Sequence, residues 1–508
     1  MADPHPTRAV VVGAGYAGLA TAIRLRHAGL NVTVLERDDR PGGRAGRVER
    51  DGYAFDTGPS VLTMPELFAD LFALAGEDIA EHIEFIRLDP AYRASFHDGS
   101  VLDVKGTVEE MREEVARVCG PAEAENFTRL AAHLGELYRA EYDSFIDANF
   151  DSPLALLRPA AAARLIRLGG FRRVYPLVSS FLTDWRLIRM FTFQSMYAGM
   201  SPYEALGVYA VIAYMDAIAG VYSAKGGVHA VSEALADLAR RMGVDVRLST
   251  PVEEIEVTRG RAVAARTADG DRVPFDVVVL NPDLPVAYRD LLPPEVTPRR
   301  VERLRYSPSC VVVHLGVDEP LEGAVHHNIH FATDYQASFD DILAGRRQRD
   351  PSWFLTVPTR SEPDLAPPGG DVGFYLLPAP NLNGEPIDWD ADKDAELALA
   401  QRLMTEAGYG DLARSTRVSE VVTPADWARQ GMAAGTPFAV SHHFRQTGPF
   451  RPRNVAPKVD GVVFAGSSTT PGVGVPMVLI SGKLAAERVL ELVDLPAGQT
   501  AAPARSGG

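Results

Sequence analysis

The sequence predicts an α/β fold in which one parallel-sheet domain is assembled from separated stretches, beside a mixed-sheet domain and a helical cap. Three observations predict it. The first 37 residues read strand, glycine-rich turn, helix, strand. Short apolar runs typical of buried strands recur far downstream, at Val277–Leu280 and at 462–465. Between these ends, residues 106–222 are mainly helical by apolar spacing, with breaks at Pro121, Pro153, Pro176 and Pro202.

At 508 residues the chain exceeds one simple core, so interwoven domains are expected. A composition of 46% hydrophobic and 23% charged residues is ordinary for a globular protein. Cys119 and Cys310 are too few for a disulfide framework and have no CxxC spacing, which suits a reducing, cytoplasmic setting. The opening MADPHPTR runs straight into a strand, leaving no room for a secretory leader. The net charge of −16 argues against nucleic acid as a partner. The longest apolar stretch, 206–222, is 17 residues and holds Asp216, so it predicts a buried helix and not a membrane span.

Taken in order, the first helix runs to about His27 and a second strand, 31–35, ends at Glu36. A helix over 228–242 precedes strands at 244–248, 252–258, 261–268 and 277–280. Strands at 310–315, 353–357 and 372–377 and a helix at 391–408 fill the next stretch. The chain closes with a strand at 462–465, a Gly/Pro loop and a helix over about 476–493. The expected domains are a nucleotide-binding one from 1–80, 225–300 and 455–495, and a substrate domain from 81–105 and 301–454. A cap covers 106–224, and 496–508 is a Pro/Ala/Gly/Ser tail expected to be disordered.

The turn after the first strand is Gly13-Ala14-Gly15-Tyr16-Ala17-Gly18. Gly13 permits the tight turn, Gly15 lets backbone approach a pyrophosphate, and Gly18 lets the helix pack close to the strand. The helix N-terminus then presents N–H groups and partial positive charge to phosphate. Glu36 stands where a carboxylate accepts hydrogen bonds from both ribose hydroxyls and repels a 2′-phosphate. This context makes the domain Rossmann-like. The following Arg37 to Arg44, with Gly42-Gly43 before Arg44, suits the pyrophosphate and ribityl chain of a longer cofactor and favours FAD over NAD. At the other end, Gly466 closes a buried strand, and Gly474-Val475-Pro476-Met477 opens a helix. Pro476 fits a first helical turn. Such a helix start stabilises negative charge on a reduced flavin.

With these motifs in view, the chain resembles the flavin amine oxidase and desaturase superfamily, and within it the bacterial carotenoid desaturases of the phytoene desaturase type. The closing PGVGVP, Asp56-Thr57-Gly58-Pro59, Lys225-Gly226-Gly227, His326-His327 and Thr436-Pro437-Phe438 carry the likeness, which spans about 8–492. Ser223-Ala224 depart from the aromatic and proline common before Lys225 in such proteins. The resemblance implies a peripheral enzyme of the cytoplasmic membrane, with FAD its only redox cofactor. It would desaturate 15-cis-phytoene stepwise toward all-trans-lycopene. The expected cofactor contacts are Gly13, Gly15, Gly18, Glu36, Arg37, Gly43, Arg44, Gly58, Pro59, Val252, Gly466, Gly474, Val475, Pro476 and Met477. Related readings remain: a diapophytoene desaturase, a 3,4-desaturase or isomerase, an amine oxidase, or a non-catalytic lipid escort.

Desaturation needs a hydride and a proton removed from adjacent carbons, and no metal or nucleophile. No HExxH or GxSxG occurs, and the His326-His327 pair reads as structural. Asp216, in an apolar stretch beside Tyr209, Tyr214 and Tyr222, is the acid–base candidate, or else half of a buried ion pair with an arginine. Asp147 and Asp151 are weaker candidates of the same kind. Residues 153–200 hold seven arginines (158, 164, 167, 172, 173, 186, 189) and one acid, Asp184, among apolar residues. That composition suits either an anionic membrane surface or an ordinary solvated cap.

Overall fold

The structure, a computed structural model, describes residues 7–150 and 159–495. Asp151, Arg158 and the tail 496–508 lie outside the described residues.

Strand Arg8–Val12 occupies the centre of a five-stranded sheet whose order is Val462–Phe464, Val277–Leu280, Arg8–Val12, Asn31–Leu35, Asp245–Arg247. Every pairing in it is parallel. A parallel sheet is covered on both faces, which is why its inner strands are near-continuous Val, Leu and Ala with almost no exposure. Helices Tyr16–His27, Gly227–Arg241 and Val475–Leu492 pack in the core on one face. The first and last of these cross closely at Gly482, where a Cβ would fall 2.7 Å from Ala17 O and 2.8 Å from Ala20 Cβ. A bulkier residue there would push the C-terminal helix off the N-terminal βαβ unit. The opposite face carries a three-stranded antiparallel sheet, 252–258, 261–267 and 272–274, and helix Leu284–Asp290.

The second large sheet has seven strands in the order Thr416–Val422, Ser309–Val317, Asp371–Ala379, Trp353–Thr356, His327–His330, Tyr92–Ser95, Val101–Val104. It is mixed, since His327–His330 runs parallel to Tyr92–Ser95 while its other neighbours pair antiparallel.

Residues 108–150 and 159–219 form the helical layer, but not as one regular bundle. Helix Val108–Cys119 is started by Thr107, whose side chain accepts from Glu110 N, and Pro121 opens Pro121–Glu141, where its missing N–H costs nothing. Pro176 lies inside the short helix Val174–Val178 instead of breaking it. The stretch expected as one buried helix over 206–222 is buried but subdivided. A 3-10 turn at Gly207–Tyr209, an α-helical turn at Ala210–Tyr214 and a π-helical turn at Met215–Ala219 precede strand Tyr222–Ala224. Gly220, at φ 114°, ends the helix in a conformation that favours glycine. No helix among the described residues is long and apolar enough to cross a membrane.

Asp56 joins two of the distant motifs. Its Oδ2 accepts from Val228 N, and a Cβ on Gly227 would fall 2.2 Å from that oxygen. Asp56-Thr57-Gly58 and Lys225-Gly226-Gly227 are thus the two halves of one helix start.

Candidate active site

The N-terminal turn is built as a backbone-walled cleft. Gly13, at φ 100°, turns the chain while its N–H donates to Leu35 O. Gly15 is at φ −71°, which any residue adopts, so sterics and not conformation demand glycine there: a Cβ would stand 2.9 Å from Asn281 Oδ1. Gly18 does not line the cleft. A Cβ on it would fall 2.0 Å from Gly13 O, so it is the packing glycine of the helix and not a contact. Gly43 faces the cleft from the opposite side, its Cβ position 3.6 Å from Gly15 Cα, and Gly42 N donates to Ala14 O.

Glu36 is 5% exposed; its carboxylate accepts from Ala14 N and Asp38 N. Burial raises its pKa, and the two backbone N–H groups oppose the rise. Arg37 also lines the cleft, but its guanidinium is turned outward to Gln430 O and Asp38.

Segments far apart in sequence close this cleft. Arg44 donates to Ser467 Oγ at 3.0 Å, bridging the N- and C-terminal motifs. Burial lowers the Arg44 pKa, with Asp283 nearby opposing. Asn281, at the end of its sheet strand, accepts from Gly18 N at 3.3 Å and donates to Ala465 O at 3.0 Å. It therefore ties two adjacent strand ends to the first turn of helix Tyr16–His27. The sequence reading missed Asn281, although a polar residue directly after Val277–Leu280 was its signal. Gly474, at φ 116°, caps helix Val475–Leu492, with Pro476 in its first turn.

Gly13, Gly15, Gly43, Glu36, Arg44, Asn281, Ser467 and Gly474 border one cavity of about 940 Å³, at the top of the ~300–1,000 Å³ range of ligand pockets. Of the expected cofactor residues, every one but Gly18 lines it, Val252 included. The cavity continues beyond the glycine turns over one face of the seven-stranded sheet. Val312, Leu376, Phe354 and Ile329 sit opposite one another on four adjacent strands. At ~4.8 Å between strands, this row is an apolar floor about 14 Å wide. Phe193, Met196, Tyr197 and Ile212 from the helical layer form the roof.

Two unpaired carboxyls face this apolar part. Asp216 is 3% exposed and one of its oxygens has no hydrogen-bond partner. Burial pushes its pKa up to about 7, opposed by Gln194 and Tyr92. It has no arginine partner, so the ion-pair alternative does not hold. Glu141, missed by the sequence reading, lines the same cavity with Oε1 unpartnered, and burial holds its pKa well above the usual range. Asp147 is instead paired with Lys483 and ties the cap to the C-terminal helix. His326 and His327 bond Ser361 and Thr356, and burial keeps both below the usual histidine pKa.

The arginine-rich cap is divided. Arg186 pairs with Asp184, and Arg189 stacks on Trp185 and bonds Ala332 O, so both serve the fold. Arg164, Arg167, Arg172 and Arg173 are exposed beside Ile166 and Phe171, which are 66% and 44% exposed. Phe171 and Phe444 (53% exposed) both line the cavity and mark its mouth.

Residues 16–490 match the family model described as flavin containing amine oxidoreductase. Among curated proteins, the chain is 48% identical over 488 residues to a phytoene dehydrogenase of Streptomyces griseus, covering 94% of each. It is 38% identical to the zeta-carotene-forming phytoene desaturase of Myxococcus xanthus, covering 96% of this chain and 95% of that one. Among solved structures, an oxidoreductase from Methanosarcina mazei matches with TM-score 0.60 at 17% identity, over 95% of this chain and all of that one. Cyclohexylamine oxidase from Brevibacterium oxydans matches with TM-score 0.58 at 18% identity, over 96% of this chain and all of that one. At such identities these two likenesses concern the fold.

Proposed function

The chain belongs to the flavin-containing amine oxidoreductases, on the branch of the phytoene desaturases, and we propose that it introduces successive double bonds into 15-cis-phytoene toward all-trans-lycopene. One observation carries this reading: a single cavity has a glycine-walled nucleotide cleft at one end and an apolar sheet floor at the other. The cleft fits FAD. A side chain at Gly15 or Gly43 would intrude into it, and the Glu36 carboxylate stands at the strand end where a ribose binds. When bound, the flavin supplies the acceptor for a hydride drawn from carbon.

The protein's own residues supply position and electrostatics. The sheet floor and helical roof hold a hydrocarbon against the cleft and exclude water, which strengthens every charge inside. Asp216, unpaired and near its point of half-ionisation at neutral pH, offers negative charge to positive charge developing on the polyene. Burial raises the Glu141 pKa well above the usual carboxylate range, which disfavours its charged form. Arg44 and the start of helix Val475–Leu492 place positive charge at the cleft, where negative charge accumulates on reduction. None of the five lysines lines the cavity, which weighs against amine oxidation.

Membrane docking follows from substrate delivery. A C40 hydrocarbon resides in lipid, so an apolar tunnel gains little by drawing it from there and the mouth must meet a bilayer. Exposed Phe171 and Phe444 mark that mouth, with exposed Ile166, Arg164, Arg167, Arg172 and Arg173 near Phe171 in sequence. This supports peripheral attachment to the cytoplasmic face of an anionic membrane. The test is the pigment made in a phytoene-accumulating host. Coloured, more conjugated products are expected, and colourless extracts despite flavin-loaded protein refute the reading.

A further inference from the structure

A hydride carries two electrons and one proton, so a flavin that accepts one gains a negative charge inside a dry cavity. Charge placed there is costly unless the protein already holds a compensating one. Arg451 is such a charge.

Arg451 is 1% exposed. Its Nε donates to Thr469 O at 2.7 Å and its Nη1 to Gln446 O at 3.3 Å. Its Nη2 donates to Val440 O at 3.2 Å and to Ser467 O. Every one of these acceptors is a neutral backbone carbonyl. No carboxylate among the described residues pairs with it. Burial lowers its pKa to about 10, with Tyr209 and Asp283 opposing, so the group stays charged at neutral pH. Asp283 is itself engaged by Ser468 Oγ and Ala433 N. The same carboxylate is the one that favours the charge of buried Arg44, which bonds Ser467 through its Oγ. Two guanidinium groups thus converge on Ser467 against one acid, and the loop carries net positive charge.

The placing of Arg451 shows what this charge faces. Ser467 and Thr469 line the cavity between Gly466 and Gly474, and Tyr209 lines it from the helical layer. Arg451 itself does not line it. The cation therefore stands directly behind the wall, where the C-terminal glycine loop meets the apolar part. Phosphate and ribose are provided for elsewhere, at Gly13–Gly15 and Glu36. Fastening four carbonyls needs only hydrogen-bond donors, and neutral donors would cost less to bury than a guanidinium.

Resting on the reading of the cleft as a flavin site, we infer that Arg451 sets the flavin's reduction potential, its buried charge behind the C-terminal glycine loop stabilising the negative charge that hydride brings. It acts through the loop and by its field, without contact with substrate. A hydrocarbon is a poor hydride donor, so an acceptor made more oxidising by a fixed cation suits the reaction. At an effective dielectric of about 20, unit charges about 12 Å apart shift an equilibrium roughly tenfold, or about 30 mV for two electrons.

The experiment is an anaerobic reductive titration of the holoprotein against a dye of known potential, without phytoene, for wild type, Arg451→Gln and Arg451→Lys. Glutamine removes the charge and keeps two donors, whereas lysine keeps the charge and loses the planar fork. Arg451→Gln is expected to hold flavin at the wild-type level while its reduction becomes on the order of tenfold less favourable, about 30 mV lower. Arg451→Lys should stay within about threefold, about 15 mV, although it unfolds at lower denaturant than wild type. Arg451→Gln within about threefold of wild type overturns the inference. So does Arg451→Lys falling as far as Arg451→Gln, since that marks the fork as a structural fastening, and so does loss of flavin from both. If Arg451→Gln alone loses flavin, Arg451→Lys decides: a potential kept within about threefold supports the inference and a lower one overturns it. Flavin content of the wild type tests the flavin reading and conversion of phytoene the desaturase reading, each separately from the potential.

Discussion

Substituting Gly15 by alanine separates two reasons for a glycine in the turn. At φ −71° alanine is conformationally admissible, so the cost is steric. The new Cβ would stand 2.9 Å from Asn281 Oδ1, roughly half an ångström inside normal contact, and overpacking of that kind costs about 1–3 kcal/mol. Asn281→Ala removes that atom but strands Gly18 N–H and Ala465 C=O, itself a loss of about 1–3 kcal/mol. In apoprotein stability the two substitutions should therefore couple, the double variant being more stable than the sum of the singles by about 1–2 kcal/mol. Flavin affinity should behave differently. If the Gly15 backbone approaches the pyrophosphate, the methyl group displaces a charge-assisted hydrogen bond worth about 1.5–3 kcal/mol, a loss of ~10–100-fold in Kd that Asn281→Ala does not restore. The assay is denaturant unfolding of apoprotein alongside fluorescence titration with FAD, for wild type, both singles and the double. G15A binding FAD within about threefold of wild type, or the double variant regaining full affinity, would refute close approach to phosphate at Gly15.

Other expectations concern charge and surface. Asp216, raised to about 7, binds its proton more tightly folded than unfolded, so its contribution to stability is full below about pH 4 and lost as pH rises toward and through 7. Asp216→Asn should thus gain stability relative to wild type by a few kcal/mol between pH 5 and pH 8, while slowing flavin reduction on the order of tenfold or more; parallel unfolding curves at the two pH values would contradict this. His314, His326 and His330 are held at about 4 by burial, so the folded state resists their protonation. Their contribution is present above about pH 6.5 and lost as pH falls toward 4, up to about 3 kcal/mol each, and His330→Asn should flatten the acid limb of urea midpoints. Phe171 and Phe444 each offer about 1.5–3 kcal/mol of burial to a bilayer. F171D/F444D should lose liposome binding on the order of 100-fold at unchanged flavin content, and sedimentation with anionic liposomes checks it.

What the sequence made legible follows local physics. The βαβ unit, Glu36 and the C-terminal loop–helix announce themselves because glycine at fixed offsets and a strand-end carboxylate have local causes. Strands 252–258 and 277–280 were legible to the residue from apolar patterning. Gly18 was legible as the packing glycine of the turn, which the 2.0 Å distance from its Cβ position to Gly13 O bears out, but its place among the cofactor contacts was not, since it does not line the cavity. Glu141 was hidden because the end of Pro121–Glu141 reads as an ordinary polar helix face, and its burial arises from the layers packed over it. The subdivision of 206–222 escaped periodicity because each piece, Gly207–Tyr209, Ala210–Tyr214 and Met215–Ala219, is only about one turn long and too short to show its own period.

Glycine turns from both ends of the chain and an apolar sheet floor serve one cavity, and the proposed reaction requires cofactor and hydrocarbon to touch there. Anaerobic mixing of flavin-loaded protein with phytoene-bearing liposomes tests it most directly. The yellow flavin absorbance is expected to bleach in a single phase while a product with one more carbon–carbon double bond, and a correspondingly longer conjugated run, appears in equal amount. Conjugated product with the flavin still oxidised, or an unbleached flavin and unchanged phytoene, would contradict it.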